Sequence, residues 1–245
     1  MRYHKLDGLR GLLLISMIGY HTCWDMINLI GISISGYTSK PGFLWQQSIC
    51  WGFILLSGFC AALGHHGRKR GLIVFCCGLA VTCVTLVFMP EARVVFGILI
   101  FLGSAMLISE YLRCFLEKIP PLAGIAGFFF LFYLTYPINR GYLQWGSCRV
   151  SLPGQFYQNL FSTYLGFMEP GFFSADYYSI FPWIFLFWTG FELCIWIKAK
   201  TQMTYLEKSR IPFLEWMGRH ALPIYLLHQP VIYLLLTSTF ISRAF

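Results

Sequence analysis

Seven apolar stretches, each long enough to cross a bilayer as a helix, dominate the sequence. A helix needs about 20 residues, at about 1.5 Å each, to span the apolar core of a membrane. The stretches lie near residues 9–30, 43–63, 71–89, 92–110, 120–137, 179–198 and 220–240. Charged residues make up only 11% of the chain, against about 25% in soluble domains. The predicted fold is therefore all-α, a polytopic transmembrane bundle of about seven spans.

The linkers between these stretches alternate in positive charge. One set carries Arg2, Lys5, Arg10, Arg68, Lys69, Arg70, Arg113, Lys118, Lys198, Lys200, Lys208, Arg210 and Arg219. The other set carries Lys40, Arg93, Arg140, Arg149 and Arg243. Cytoplasmic linkers are the basic ones, so the N-terminus is predicted to be cytoplasmic and the C-terminus outside. The basic net charge then reports orientation, and no nucleic-acid partner is expected.

No polar segment is long enough for a separate folded unit, so residues 1–245 are predicted to form one domain. Its long outer loop, at about 138–178, is rich in aromatic residues. This loop has two interpretations, an interfacial belt or surface helix, and a platform on which a sugar stacks. His65 and His66 lie in a basic loop without an acidic or Cys partner, so no metal site is expected.

The first apolar stretch contains polar residues on one helix face. Asp7, Arg10, His21 and Asp25 share this face, because the steps along it are three or four residues. Arg10 and His21 are separated by about 16 Å of helical rise, which places the Arg at the cytoplasmic mouth and the His near mid-membrane. Asp25, one turn further on, is predicted to orient the His21 imidazole as a general base. A buried polar pair that joins helices is the alternative.

The last apolar stretch carries a second polar cluster. Tyr225 and His228 are three residues apart on one face, and His228 lies about 14 Å into the helix from Arg219. His228 and His21 are therefore predicted to lie at similar depth. Pro230 lacks an amide hydrogen, which loosens the helix beside His228.

These motifs together resemble the heparan-α-glucosaminide N-acetyltransferase family. The motifs are Leu6 to Gly11, His21 and Asp25, Trp51 to Gly58, Phe96 to Leu99, Phe181 to Trp183, and Gly218 through Pro230. The spacing of Arg10 and His21 is also similar to that of membrane acyltransferase family three, which modifies surface polysaccharides. The resemblance implies a bundle in a bacterial cytoplasmic membrane that passes an acetyl group from cytoplasmic acetyl-CoA to an amine or hydroxyl of a sugar-type acceptor.

The resemblance also implies roles for single residues. His21 takes the catalytic position, with Asp25 and His228 beside it. The residues expected to bind the acyl donor are Arg10, Arg219, Tyr225 and Gln229. The expected partners are acetyl-CoA, a carbohydrate or amino-sugar acceptor and the lipid bilayer, with homodimerisation left open.

Two other classes of function fit the same polar residues. A proton-coupled transporter could use His21, Asp25 and His228 as a proton path. A membrane scaffold without catalysis is the third candidate. A seven-helix receptor or rhodopsin is disfavoured, because its orientation is opposite and the last stretch has no Lys for a retinal Schiff base.

Overall fold

A computed structural model describes residues 2–64, 66–201, 203–208 and 210–241. His65 and Arg243, used above for the metal and orientation arguments, lie outside these residues. The described residues are mostly helical, in agreement with the predicted class.

The helices are α1 (His4–Ile30), α2 (Lys40–Leu63), α3 (Gly67–Phe88), α4 (Ile98–Tyr111), α5 (Arg113–Leu116), α6 (Pro121–Thr135), α7 (Leu160–Leu165), α8 (Ile180–Lys200), α9 (Pro212–Arg219) and α10 (Ala221–Ile241). Two strands, β1 (Tyr142–Trp145) and β2 (Cys148–Ser151), form an antiparallel hairpin. The expectation of an entirely helical chain was therefore incomplete.

Five helical segments within the described residues are long and apolar enough to cross a membrane. They are Lys40–Leu63, Gly67–Phe88, Pro121–Arg140, Ile180–Lys200 and Ala221–Thr239. The chain is thus an integral membrane protein. The other two predicted spans fall on α1, which carries several charged residues, and on α4, whose 14 residues rise only about 21 Å. The count of seven spans and the orientation remain predictions.

The described residues form two compact units, whose boundary falls within α2. The first unit comprises residues within Met1–Phe53 and Thr201–Phe245. In this unit α1 crosses α9 at two glycines, Gly11 and Gly218. A Cβ added to Gly11 would lie 2.0 Å from the Leu214 carbonyl oxygen, and a Cβ added to Gly218 would lie 1.8 Å from the Asp7 carbonyl oxygen. Small residues at such crossings allow two helix backbones to approach closely. This approach brings the start of α1 against the segment that leads into α10.

The second unit comprises residues within Ile54–Lys200, in which α3 packs on α4 and α6 packs on α8. Gly103 of α4 lies against the backbone of Phe75, where an added Cβ would be 2.5 Å from the Phe75 amide nitrogen. The buried side chains Phe101, Phe132, Phe187 and Phe191 fill this unit. The loop at 138–178 belongs to it and contains the hairpin and α7.

Glu192 of α8 is fully buried, against Gly124 of α6. Neither carboxyl oxygen of this side chain has a hydrogen-bond partner among the described residues. An unpaired buried polar group costs about 1–3 kcal/mol, so an apolar residue of similar size is favoured here.

We therefore expect Glu192→Leu to raise the free energy of unfolding in detergent by about 1 kcal/mol. Glu192→Gln is the matched control. It keeps buried polar atoms at this position, so its free energy of unfolding should stay close to that of the native protein. A clear loss of stability in Glu192→Leu would contradict this account.

Asp176 lies in the loop before α8, where its Oδ2 accepts a hydrogen bond of 2.9 Å from the amide of Ile98 at the start of α4. Burial raises the pKa of this carboxyl to about 6, although the hydrogen bond from Ile98 opposes the shift. Because the folded protein binds this proton more tightly than the unfolded chain, the contribution of Asp176 to stability rises as the pH falls from about 6 towards 4.

Asp176→Asn keeps an acceptor for the Ile98 amide and removes this titration. We expect the unfolding temperature of the variant, relative to the native protein, to be higher at pH 8 than at pH 5. The control is Glu91→Gln, which alters an exposed carboxyl. The difference in unfolding temperature between this variant and the native protein should be the same at pH 5 and pH 8. A difference for Asp176→Asn that does not change between the two pH values would be the contrary result.

Candidate functional site

The two histidines that the sequence placed at similar depth meet in the first unit. The ring centroids of His21 in α1 and His228 in α10 are 5.0 Å apart, with their planes at 58°. Both side chains are partly buried. The structure thus brings the two imidazoles together.

A backbone carbonyl in the helix turn before Pro230 determines which ring nitrogen of His228 carries the proton. Its Nδ1 forms a short hydrogen bond with the carbonyl oxygen of Tyr225, and the rings of Tyr225 and His228 have centroids 5.3 Å apart. A carbonyl can only accept, so Nδ1 donates the proton, and Nε2 of the neutral ring is then an acceptor. Nε2 is buried and has no partner among the described residues. It is therefore free to bind an atom of a substrate.

Asp25 is 1% exposed, and its partner differs from the predicted one. The Gln229 amide nitrogen donates to both carboxyl oxygens of Asp25, at 2.9 and 3.0 Å. The sequence instead predicted that Asp25 would hold the His21 ring. The Asp25 carboxyl thus links α1 to α10, and its effect on His21 acts through the position of these helices. The remaining Gln229 oxygen, Oε1, is buried and unpartnered within the described residues.

Arg10 lies where α1 crosses α9. Its guanidinium donates to Asp7 Oδ1 at 3.0 Å and to the Gly218 carbonyl at 3.4 Å. Asp7 also accepts from Arg2 at 2.9 Å, so two guanidinium groups share one carboxylate and the cluster keeps a positive charge. Arg219 follows Gly218 directly and is exposed at the end of α9. The predicted donor-binding arginines therefore flank one helix crossing.

Two further features of this unit were not predicted. The Tyr37 hydroxyl donates to the carbonyl of Tyr20, next to His21, at 3.2 Å, and the Tyr20 and Tyr37 rings stack with centroids 4.8 Å apart. Tyr37 belongs to a Gly- and Ser-rich linker, which has no periodicity to position it. Glu215 of α9 is buried and pairs with His4 at 2.8 Å. A carboxylate among the apolar residues of α9 is the sequence feature that could have predicted this buried pair.

A comparison with protein-family models decides the family. The catalytic model of heparan-alpha-glucosaminide N-acetyltransferase matches residues 2–230. The chain belongs to this family. The matched residues include the whole candidate site, from Arg10 to Gln229. Comparisons with curated proteins and with solved structures give no match.

Membership of the heparan-α-glucosaminide N-acetyltransferase family makes a membrane acetyltransferase the activity of the chain. The geometry suits that chemistry. An acetyltransferase needs a proton acceptor near the attacking group and donors that stabilise the developing oxyanion. The Nε2 atom of His228, which has no partner among the described residues, is an acceptor of this kind close to the His21 ring.

Proposed function

We propose that the protein transfers an acetyl group from cytoplasmic acetyl-CoA to an amine or hydroxyl of a sugar-type acceptor at the other side of the membrane. The observation that carries this proposal is the meeting of His21 with His228 inside a chain matched by the family model. Neutral imidazoles are the side chains best suited to accept a proton near pH 7.

In the proposed reaction, His21 removes a proton from the acceptor as its nitrogen or oxygen attacks the thioester carbonyl. The new bond to the acetyl carbon forms, the carbon–sulfur bond breaks, and CoA leaves as a thiolate that takes up a proton. His228 lies close enough to relay this proton or to stabilise the oxyanion when protonated. A variant of this mechanism passes the acetyl group through the His21 ring, as an acetyl-imidazole that the acceptor then cleaves.

Asp25 and Gln229 support this centre by tying α1 to α10. The same contact holds the Gln229 side chain, whose Oε1 has no partner among the described residues and is proposed to accept a hydrogen bond from the acceptor. Tyr225 contributes through its ring and its carbonyl, both of which contact His228.

The donor phosphates are proposed to bind at the positive cluster of Arg2, Asp7 and Arg10. Arg219 directly follows Gly218, whose carbonyl accepts a hydrogen bond from Arg10. α1 is one continuous helix from this cluster to His21, so about 16 Å separates them along its axis. The pantetheine arm of acetyl-CoA is of the length that such a separation requires. Charge-assisted hydrogen bonds from guanidinium groups suit phosphates well.

Arg10→Ala is expected to weaken acetyl-CoA binding by about tenfold, which is one lost charge-assisted hydrogen bond. The readout is the concentration of acetyl-CoA that stabilises the purified protein against thermal unfolding. Lys69→Ala, which removes an exposed cation from α3, serves as the control and should leave this concentration unchanged. Unaltered binding in Arg10→Ala would remove the phosphate role of this residue.

The function itself is tested with the native protein in vesicles, supplied outside with acetyl-CoA carrying a labelled acetyl group and loaded with glucosamine. We expect labelled N-acetyl or O-acetyl product to form inside the vesicles and free CoA to accumulate outside. A proton-coupled transporter would instead move solute in response to a pH gradient, with no thioester cleavage. Absence of labelled product and of CoA release, with a pH-driven flux present, would overturn the proposal.

A further inference from the structure

The β1–β2 hairpin has two chemically different faces. Its register pairs Leu143 with Val150 and Trp145 with Cys148, and alternate residues of a strand point to opposite faces. These four apolar side chains therefore share one face. Tyr142, Gln144, Arg149 and Ser151 occupy the other, where the Arg149 guanidinium lies 5.1 Å from the centroid of the Tyr142 ring.

The apolar face of the hairpin is open. Trp145 is 66% exposed and Val150 is 57% exposed. Together with Leu134 of α6, the four apolar side chains line an open groove of about 450 Å³. An exposed apolar surface of this kind marks a site of contact with a membrane, a ligand or another protein.

The groove continues the exposed side of α6. Phe130 lies one turn before Leu134 on α6, is itself 39% exposed, and its ring meets Trp145 with centroids 5.0 Å apart. α6 belongs to the segment Pro121–Arg140, which is long and apolar enough to cross the membrane. Exposed Phe and Leu side chains on such a helix contact lipid, and the hairpin begins two residues after the segment ends. The lipid-facing surface of α6 therefore extends without a break onto the hairpin.

The chemistry of the groove favours lipid over a sugar. A sugar ring that stacks on Trp also needs hydrogen-bond partners for its hydroxyl groups. The residues that line the groove are Leu134, Leu143, Trp145, Cys148 and Val150, and none carries a strong hydrogen-bonding group apart from the indole. The cation of the hairpin, Arg149, lies on the opposite face, so the polar face is the one suited to headgroup phosphates and water.

We propose that the β1–β2 hairpin lies in the membrane interface with its apolar face towards the acyl chains, and that the groove against Leu134 and Phe130 binds an acyl chain of a membrane phospholipid. The proposal is independent of the acetyl-transfer chemistry, since every residue it uses belongs to the second unit.

The test places the photoreactive residue p-benzoylphenylalanine at one of two adjacent positions. Position 150 lies on the apolar face and position 149 on the polar face of the same strand. Each full-length variant is reconstituted in phosphatidylcholine vesicles and irradiated, and the adducts are identified by peptide mass spectrometry. We expect position 150 to yield severalfold more phospholipid adduct than position 149.

A second measurement uses the native protein, in case either variant folds poorly. A phosphatidylcholine with a diazirine near the end of one acyl chain should label the peptide of residues 142–151, and free glucosamine should not compete. Three results would overturn the proposal. They are equal lipid adducts at positions 149 and 150, adducts joining two copies of the chain at position 150, and loss of labelling when glucosamine is added.

Discussion

His21→Ala should lower the rate of acetyl transfer by about 100-fold or more, which is the usual contribution of a general base. The effect is expected to be large because the ring of His21 lies against His228, the imidazole proposed to act with it. His21→Gln retains polarity but cannot accept and pass on a proton in the same way, so it should fail to the same degree. The measurement is the initial rate of labelled product formation in vesicles.

His220 provides the control for this experiment. It is an exposed histidine of the same unit, and its Nδ1 is paired with the carbonyl of Trp216 at 2.9 Å. His220→Ala should leave the rate within about twofold of the native protein, as for most surface substitutions. Full transfer by both His21 variants would exclude the base and the acetyl-imidazole mechanisms together.

Gly218→Ala should destabilise the protein by about 3 kcal/mol, the upper part of the range for overpacking a filled site. A Cβ at Gly218 would lie 1.8 Å from the Asp7 carbonyl oxygen and 2.6 Å from its carbon, and both are backbone atoms that cannot rotate away. The two helices must then separate, which also moves the Gly218 carbonyl away from Arg10. The free energy of unfolding in detergent and the acetyl-CoA concentration needed for stabilisation both report this change.

Gly127→Ala is the matched control, since a Cβ at this helical glycine of α6 would meet no atom within 4 Å. Alanine favours a helix over glycine by about 1 kcal/mol, so this variant should be slightly more stable than the native protein. Equal unfolding free energies for the two variants would mean that the crossing of α1 and α9 is looser than described.

The apolar stretches predicted the helical class and most of the long helices of this chain. An apolar stretch of about 20 residues favours a helix in a bilayer, because a helix satisfies its backbone hydrogen bonds within one segment. Five of the predicted spans accordingly appear as membrane-length helices. The hairpin could not be predicted in the same way, because Tyr142–Trp145 and Cys148–Ser151 are short segments whose pairing depends on the turn and on α6.

The helical spacing of polar residues predicted a similar depth for His21 and His228, because rise per residue converts sequence position into depth, and the structure brings the two rings together. It could not decide which partner Asp25 would choose. The sequence predicted His21 as the partner, whereas in the structure the Gln229 amide of α10 makes the contact. The face that α10 turns towards α1 depends on packing between the helices, which the spacing of residues along one helix does not encode.

The most direct test of the central claim is a double-mutant cycle on His21 and His228. The quantity measured is kcat/KM for acetyl transfer by the native protein, His21→Ala, His228→Ala and the double variant in identical vesicles. Groups that act together in one step give strongly non-additive effects. We predict that the double variant will be hardly slower than His21→Ala alone. Losses that simply multiply would show that the two rings act independently, and would contradict a shared acetyl-transfer centre.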